Sequence, residues 1–305
     1  MNHTIVMTGA TRGIGRVAAE RILAEDKDAH LLVLARGESG AELVRDLQRR
    51  GHTVAHIEAD LSSLASTRTA AATLRDNLTH GQLPPVKGFV GNAGIQYPND
   101  TTEGPEGFEA TFALNVMANH VLISTLTDLF EPPARIVITS SDTHFGDFKH
   151  NLGLVPAPNW QAPETLARIN AFPSPASVAA GRTAYSTSKL AVIYLVHEYA
   201  RRLPAGVDIV SYNPGFVPNT GLARNADPLS RFVVRRILPA LAVTPVATSR
   251  RAAGQYLADV VLGKIDAASG SYVDRGKVIR SSDESYDPAR EAQLWQALER
   301  LTAAV

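Results

Sequence analysis

The chain has 305 residues, 45% hydrophobic and 20% charged, with 30 Lys plus Arg against 30 Asp plus Glu and no cysteine. Balanced charge provides no overall field toward nucleic acid or an anionic membrane surface, and the missing cysteine excludes disulfides, thiolate metal sites and cysteine nucleophiles. No apolar run has the ~20 residues of a membrane span and no signal-peptide pattern opens the chain, so a soluble cytoplasmic protein is expected.

The first expected strand, TIVMTG (4–9), runs into TGATRGIG (8–15) and an amphipathic stretch over 14–25. Gly9, Gly13 and Gly15 let the backbone turn sharply and approach a pyrophosphate, with Thr11, Arg12 and Ile14 in the same loop. The free N–H groups and dipole of the following helix favour that negative charge. The second strand, HLLVLAR (30–36), ends in Arg36 rather than a carboxylate. An acidic residue there holds a ribose 2′-hydroxyl, whereas a guanidinium suits a 2′-phosphate. Arg36, with Arg12 nearby, therefore favours NADP(H), and Glu38 close by weighs the other way. After a helical stretch at 40–50, the third strand (53–60) ends in Asp60 and Leu61. Past a helix at 62–78, the fourth strand (86–92) ends in Asn92, Ala93 and Gly94. These tips are the expected walls of the adenine and ribose pocket.

A helical stretch at 106–130 leads to the fifth strand, RIVITSS (135–141), and then to an irregular region, 142–184, containing Pro156, Pro158, Pro163, Pro173 and Pro175. A helix at 183–202, a strand at 207–213, a second irregular region at 216–245, a helix at 246–262 and a strand at 270–274 complete the pattern. Continuously apolar strands alternating with helices indicate an α/β fold: a doubly wound, Rossmann-type parallel sheet with helices on both faces. One domain is expected over 1–305, and both irregular regions follow strand C-terminal ends, where such sheets bind ligands. Phe145, Phe148, Trp160, Phe172, Phe216, Phe232 and Ile237 in these regions suit a hydrophobic lid over a bulky apolar or aromatic substrate. The same residues suit packing of the regions onto the body.

YSTSK (185–189) places Tyr185 and Lys189 on one helical face. A phenol has a pKa of about 10, and a neighbouring ammonium lowers it by favouring the phenolate. A shift of about two to three units needs roughly 3–4 kcal/mol, expected from the lysine together with a cationic nicotinamide ring. Tyr185 is then a general acid for carbonyl reduction and a base in reverse, with Ser140 or Ser141 donating to the same oxygen. His144 follows closely and is read as facing either substrate or solvent. No histidine pattern resembles a zinc site, so no metal is expected.

Taken in order, TGATRGIG, Asp60, NAG, Asn115 in LNVMANH, TSS, YSTSK and NPG span about residues 1–220, and the chain resembles the short-chain dehydrogenase/reductase superfamily. The resemblance implies a catalytic set of Asn115, Ser141, Tyr185 and Lys189, with Ser141 preferred over Ser140. It also implies that Asn115 holds a helix open around a water serving Lys189. Tyr185 and Lys189 would touch the cofactor, and Pro214, Gly215 and Val217 would border its nicotinamide. Asn219 takes the place usual for a threonine, so Thr220 is the displaced phosphate or carboxamide contact. The long interval from Ser141 to Tyr185, with NPGFVPNTGLARN (213–225), is similar to retinol dehydrogenase-like and protochlorophyllide reductase-like enzymes. The expected activity is NADP(H)-dependent interconversion of a ketone or aldehyde and its alcohol. The alternatives are double-bond reduction or cyclisation on the same scaffold, or a redox-silent NADP(H) sensor. Monomer and homo-oligomer both stay open.

Overall fold

Parallel strands buried on both faces need helices above and below, and that demand is met across one eight-stranded sheet. The computed structural model describes residues 2–151, 153–217 and 247–303. Its strands are β1 (His3–Thr8), β2 (Ala29–Ala35), β3 (Val54–Glu58), β4 (Val86–Gly91), β5 (Phe130–Thr139), β6 (Val207–Asn213), β7 (Tyr272–Asp274) and β8 (Lys277–Ile279). Their order is β3-β2-β1-β4-β5-β6-β7-β8, parallel through β7, with β8 antiparallel at the edge. The order reverses between β1 and β4, the switch point at which doubly wound sheets open a ligand crevice.

The helices are α1 (Gly13–Glu25), α2 (Gly37–Arg49), α3 (Leu64–Thr79), α5 (Val178–Arg202), α6 (Arg250–Val261) and α7 (Pro288–Ala303). Between α3 and α5, the segments Ala110–Phe112, Ala113–Met117 and Ala118–Leu126 form one helix, α4, whose middle five residues are a π-turn. Alternate strand residues feed two cores. Val6, Leu32, Leu34, Phe89, Ile136 and Ile138 pack with α3, α4, α5 and α7, while Ile5, Met7, Leu31, Val33, Val137 and Val210 pack with α1, α2 and α6. Among the described residues, no helix is long and apolar enough to cross a membrane.

All seven expected strands and six expected helices occur at their expected places. The edge strand β8 and helix α7 are additions. Residues 142–184 open on a 3-10 turn, Asp142–Phe145, followed by two short α-helices, Phe148–Asn151 and Pro163–Leu166, and several of the apolar residues there pack onto the body. Trp160 sits edge-on to Tyr194 at 4.8 Å, and Phe172 is 5% exposed with its N–H donated to Asp100 Oδ2 at 2.9 Å. Phe145 stacks on His150, and Phe148 points outward, 74% exposed. Phe216 lines the cleft described below; Phe232 and Ile237 lie outside the described residues. Helix α5 is enclosed by the sheet, α4, α7 and this region, so every residue from Ala184 to Tyr199 is buried.

Candidate active site

The C-terminal tips of β1 to β6 open into one cleft of about 1190 Å³. Every cofactor-contact residue expected from the sequence lines it, apart from Thr220, which lies outside the described residues. Gly9 has φ +66°, and a Cβ there would stand 2.7 Å from the Ala93 nitrogen; a Cβ on Gly15 would stand 2.0 Å from the Gly9 carbonyl oxygen. No side chain fits at either position. Asn92 Nδ2 donates to the Gly9 carbonyl at 3.1 Å, and the Ala93 N–H donates to Thr8 Oγ1 at 3.0 Å, which ties the loops after β1 and β4 together.

The helix starts separate into two kinds. Ser63, Ser177 and Ser249 cap α3, α5 and α6 through their hydroxyls, whereas α1 and α2 have no side-chain cap. Those two are the helices that start at the cleft, and their N-caps are Arg12 and Arg36. Uncapped N–H groups, a helix dipole and a guanidinium are an arrangement that suits a phosphate. Arg36 Nη1 lies 3.7 Å from Asp60 Oδ1 with both side chains well exposed, a pair that holds the arginine weakly. Glu38, which weighed against a phosphate, is turned to Arg45 at 2.6 Å. Burial raises the Asp60 carboxyl, but the Ser62 hydroxyl and N–H, with Arg36, outweigh it and leave Asp60 below its ordinary range. These residues fit a phosphorylated dinucleotide.

At the other end of the cleft, α5 presents Tyr185 and Lys189, 6% and 3% exposed. Lys189 Nζ donates to the Thr139 carbonyl at 2.9 Å and lies 5.6 Å from the Tyr185 ring centroid. The chain by itself does not supply the acidified phenol expected of Tyr185 beside Lys189. Burial pushes the Tyr185 phenol well above its ordinary value, a hydrogen bond with the Ser141 hydroxyl opposes this, and the Asp142 charge adds to it. Burial also holds Lys189 down at about 8. Desolvation of the charged form is the largest cause for both groups.

The serines divide the work expected of either. Ser140 Oγ donates to the Lys189 carbonyl at 3.2 Å and is buried; Ser141 faces Tyr185 and accepts from the Thr143 N–H at 3.3 Å. Asn115 lies within the π-turn. Its Oδ1 accepts from the Ile95 N–H at 2.9 Å, and its Nδ2 donates to the Ile95 carbonyl and to Ser188 Oγ, both at 3.0 Å. Asn115 stands behind the cleft wall, meeting Lys189 across Gly94: a Cβ on Gly94 would lie 3.6 Å from Lys189 Nζ and 3.7 Å from Asn115 Oδ1.

Three residues acquire positions that sequence reasoning missed. His144 faces neither substrate nor solvent. It is 1% exposed, its Nδ1–H donates to the Ser141 carbonyl at 2.6 Å, and its Nε2 accepts from the Ser282 N–H at 3.1 Å. Burial lowers it to about 4, so it is a neutral strut behind Ser141. Asn213, the first residue of NPG, accepts from the Gly215 and Asp142 N–H groups at 3.0 and 3.2 Å and donates to Asp274 Oδ1 at 2.9 Å. It thereby sets the loop in which Gly215 has φ +70°. Asp142 lines the cleft beside Ser141, and burial pushes its carboxyl up to about 6. The NPG motif was a signal for Asn213; nothing local marks the other two.

The family model described as short chain dehydrogenase matches residues 3–152. Protochlorophyllide reductase A, chloroplastic, of Arabidopsis thaliana is 29% identical over 321 residues, covering 97% of this chain and 76% of that protein. The WW domain-containing oxidoreductase of Danio rerio is 26% identical, covering 98% of this chain and 68% of that one. Among solved structures, NADPH-bound carbonyl reductase from chicken fatty liver superposes with a TM-score of 0.59 at 19% identity, covering 92% and 99% of the two chains. The angucycline C-6 ketoreductase LanV with bound NADP gives 0.63 at 19% identity, covering 90% and 93%. At that identity the structural likeness speaks for the fold, and the sequence matches speak for the family. The chain belongs to the short-chain dehydrogenase/reductase superfamily of oxidoreductases and is similar, within it, to protochlorophyllide reductases.

Proposed function

We propose that this oxidoreductase is an NADP(H)-dependent carbonyl reductase, and in reverse an alcohol dehydrogenase, acting on a ketone or aldehyde with a bulky apolar or aromatic body. The observation that carries the reading is the meeting of Ser141, Tyr185 and Lys189 at one end of a cleft whose other end is the glycine and arginine cradle. Gly9, Gly13 and Gly15 would hold the pyrophosphate, Arg12 and Arg36 the 2′-phosphate, Asp60 and Asn92 the adenosine side, and Pro214, Gly215 and Val217 the nicotinamide. When bound, the cofactor supplies the hydride and, once oxidised, a positive ring.

The residues of the chain supply the rest. Because burial raises the Tyr185 phenol, it stays protonated throughout the neutral range and is stocked as an acid. Ser141 and Tyr185 hold the substrate oxygen, and Tyr185 releases its proton as negative charge develops there. Lys189, near the Tyr185 ring, then stabilises the phenolate left behind. Leu114, Leu154, Val155 and Phe216 supply apolar wall for the substrate body.

A second reading, reduction of a carbon–carbon double bond with Tyr185 as the proton source, is supported by similarity to protochlorophyllide reductases over 97% of the chain. The test is Tyr185→Phe with a panel of aromatic ketones and enones. The variant is expected to bind NADPH like the parent and to lose roughly 10²–10⁴-fold in turnover. Unchanged ketone turnover would remove Tyr185 as the acid. Turnover of enones to saturated ketones with no alcohol formed would favour the second reading.

A further inference from the structure

We infer that Asp142 determines specificity, selecting carbonyl substrates that carry a hydroxyl on the carbon next to the carbonyl group. The inference rests on reading the site as that of a carbonyl reductase.

Asp142 lines the cleft one residue beyond Ser141, and its Oδ1 lies 3.3 Å from Ser141 Oγ. Its Oδ2 takes no hydrogen bond among the described residues. The basic side chains nearest it are already engaged: Arg275 with Asp274 at 2.8 Å, and His150 with Asp147 at 2.7 Å. The Asp142 N–H is spent on Asn213. A carboxyl with no cationic partner therefore borders the place where the substrate oxygen is held.

The count of protons makes this selective. Ser141 has one hydroxyl proton, and its acceptor without substrate is Asp142. When Ser141 turns that proton to a substrate carbonyl, the half-buried Asp142 oxygen loses its protein donor, which is unfavourable. Because Asp142 Oδ1 lies 3.3 Å from Ser141 Oγ, a hydroxyl on the adjacent substrate carbon would replace the lost donor as Ser141 turns away. A plain ketone leaves the carboxyl unsatisfied. Sites built to bond a substrate hydroxyl reject the analogue lacking it for this reason.

The test uses acetophenone and its α-hydroxy derivative with the full chain, Asp142→Ala and Asp142→Asn. Two quantities are read: the Kd of each ketone for the NADP⁺-loaded protein by calorimetry, and kcat/KM for its reduction by NADPH. The parent is expected to favour the hydroxyketone by about 10- to 100-fold in Kd. Asp142→Ala should bring that ratio within about threefold of unity, and Asp142→Asn, which keeps the shape and is the fallback if the alanine variant fails to fold, should lower it several-fold. A ratio near one in the parent, or an unchanged ratio in the variants, would overturn the inference. Binding preference without turnover of either ketone would instead sink the carbonyl-reductase reading and leave the Asp142 contact standing.

Discussion

At Tyr185 and Lys189 two effects oppose one another. Their proximity favours phenolate and ammonium, while burial disfavours both charges, and burial wins for each taken in the protein alone. This has a stability consequence whose sign follows from proton linkage. The folded pKa of Lys189, about 8, is below its ordinary 10.5, so between these values the unfolded chain binds more protons and stability rises with pH. Below about 8 the buried ammonium costs up to about 3 kcal/mol. Lys189→Met loses the bond to the Thr139 carbonyl, worth about 1 kcal/mol, so a net gain of about 1–2 kcal/mol is expected at neutral pH. Denaturant melts at several pH values check this: the gain should shrink as pH climbs past 8 toward 10.5. The cation is retained at the cost of stability, as expected of a group kept for function.

Arg36 offers a second residue-scale check. Its weak tie to Asp60 leaves the guanidinium available, and charge-assisted bonds to a phosphate contribute about 1.5–3 kcal/mol. Arg36→Asp should therefore weaken NADPH binding by about 10- to 100-fold while NADH binding holds or improves, measured as the two Kd values. An unchanged ratio would transfer the role to Arg12. The motif residues themselves were readable from local pattern. The part played by His144 was not, because its second partner, Ser282, lies 138 positions away.

Among the elements, α4 shows how a polar side chain shapes a helix. Asn115 satisfies both the N–H and the carbonyl of Ile95, and the helix widens into a π-turn around it. Asn115→Ala leaves those two buried backbone groups without partners, at about 1–3 kcal/mol each. A loss of about 2–5 kcal/mol in chemical unfolding is expected, and a loss below about 1 kcal/mol would mean the loop at Ile95 re-forms its bonds elsewhere. The position of Asn115 within LNVMANH was legible; the widened turn was not, since helical periodicity records which face is apolar and not how the backbone bonds are spaced. Helix α7 carried its own signal, with Leu294 and Leu298 at helical spacing and both buried. Edge strand β8 carried none, because its three residues are all exposed.

Over the whole molecule, the region 142–184 and α7 close around α5. Glu291 of α7 accepts from His197 Nδ1 at 2.7 Å and from Arg201 at 2.6 Å, and Trp295 packs against Tyr199 and His120. Part of the surface of α4 and α5 is thus covered by the chain itself. The region 142–184 likewise divides into a packed portion and a cleft-facing portion. Phe172→Ala should cost about 3–5 kcal/mol of stability, as for a buried aromatic. Leu154→Ala, 38% exposed at the cleft wall, should leave the unfolding midpoint within about 0.5 kcal/mol while raising KM for a bulky ketone. Equal loss of stability in both would make the whole region structural.

What the amino-acid order determined by itself was everything set by short-range constraint: seven strands from apolar runs, the phosphate cradle from glycines at a strand end, and Tyr185 beside Lys189 from helical spacing. Tertiary structure decided which serine faces the phenol, where His144 is spent, and which proton each buried group keeps. Those outcomes depend on desolvation and on partners such as Ser282 and Asp274, brought in by packing from far along the chain. Local pattern carries no record of such neighbours, so the sequence named the residues that line the cleft and the fold set their electrostatic state.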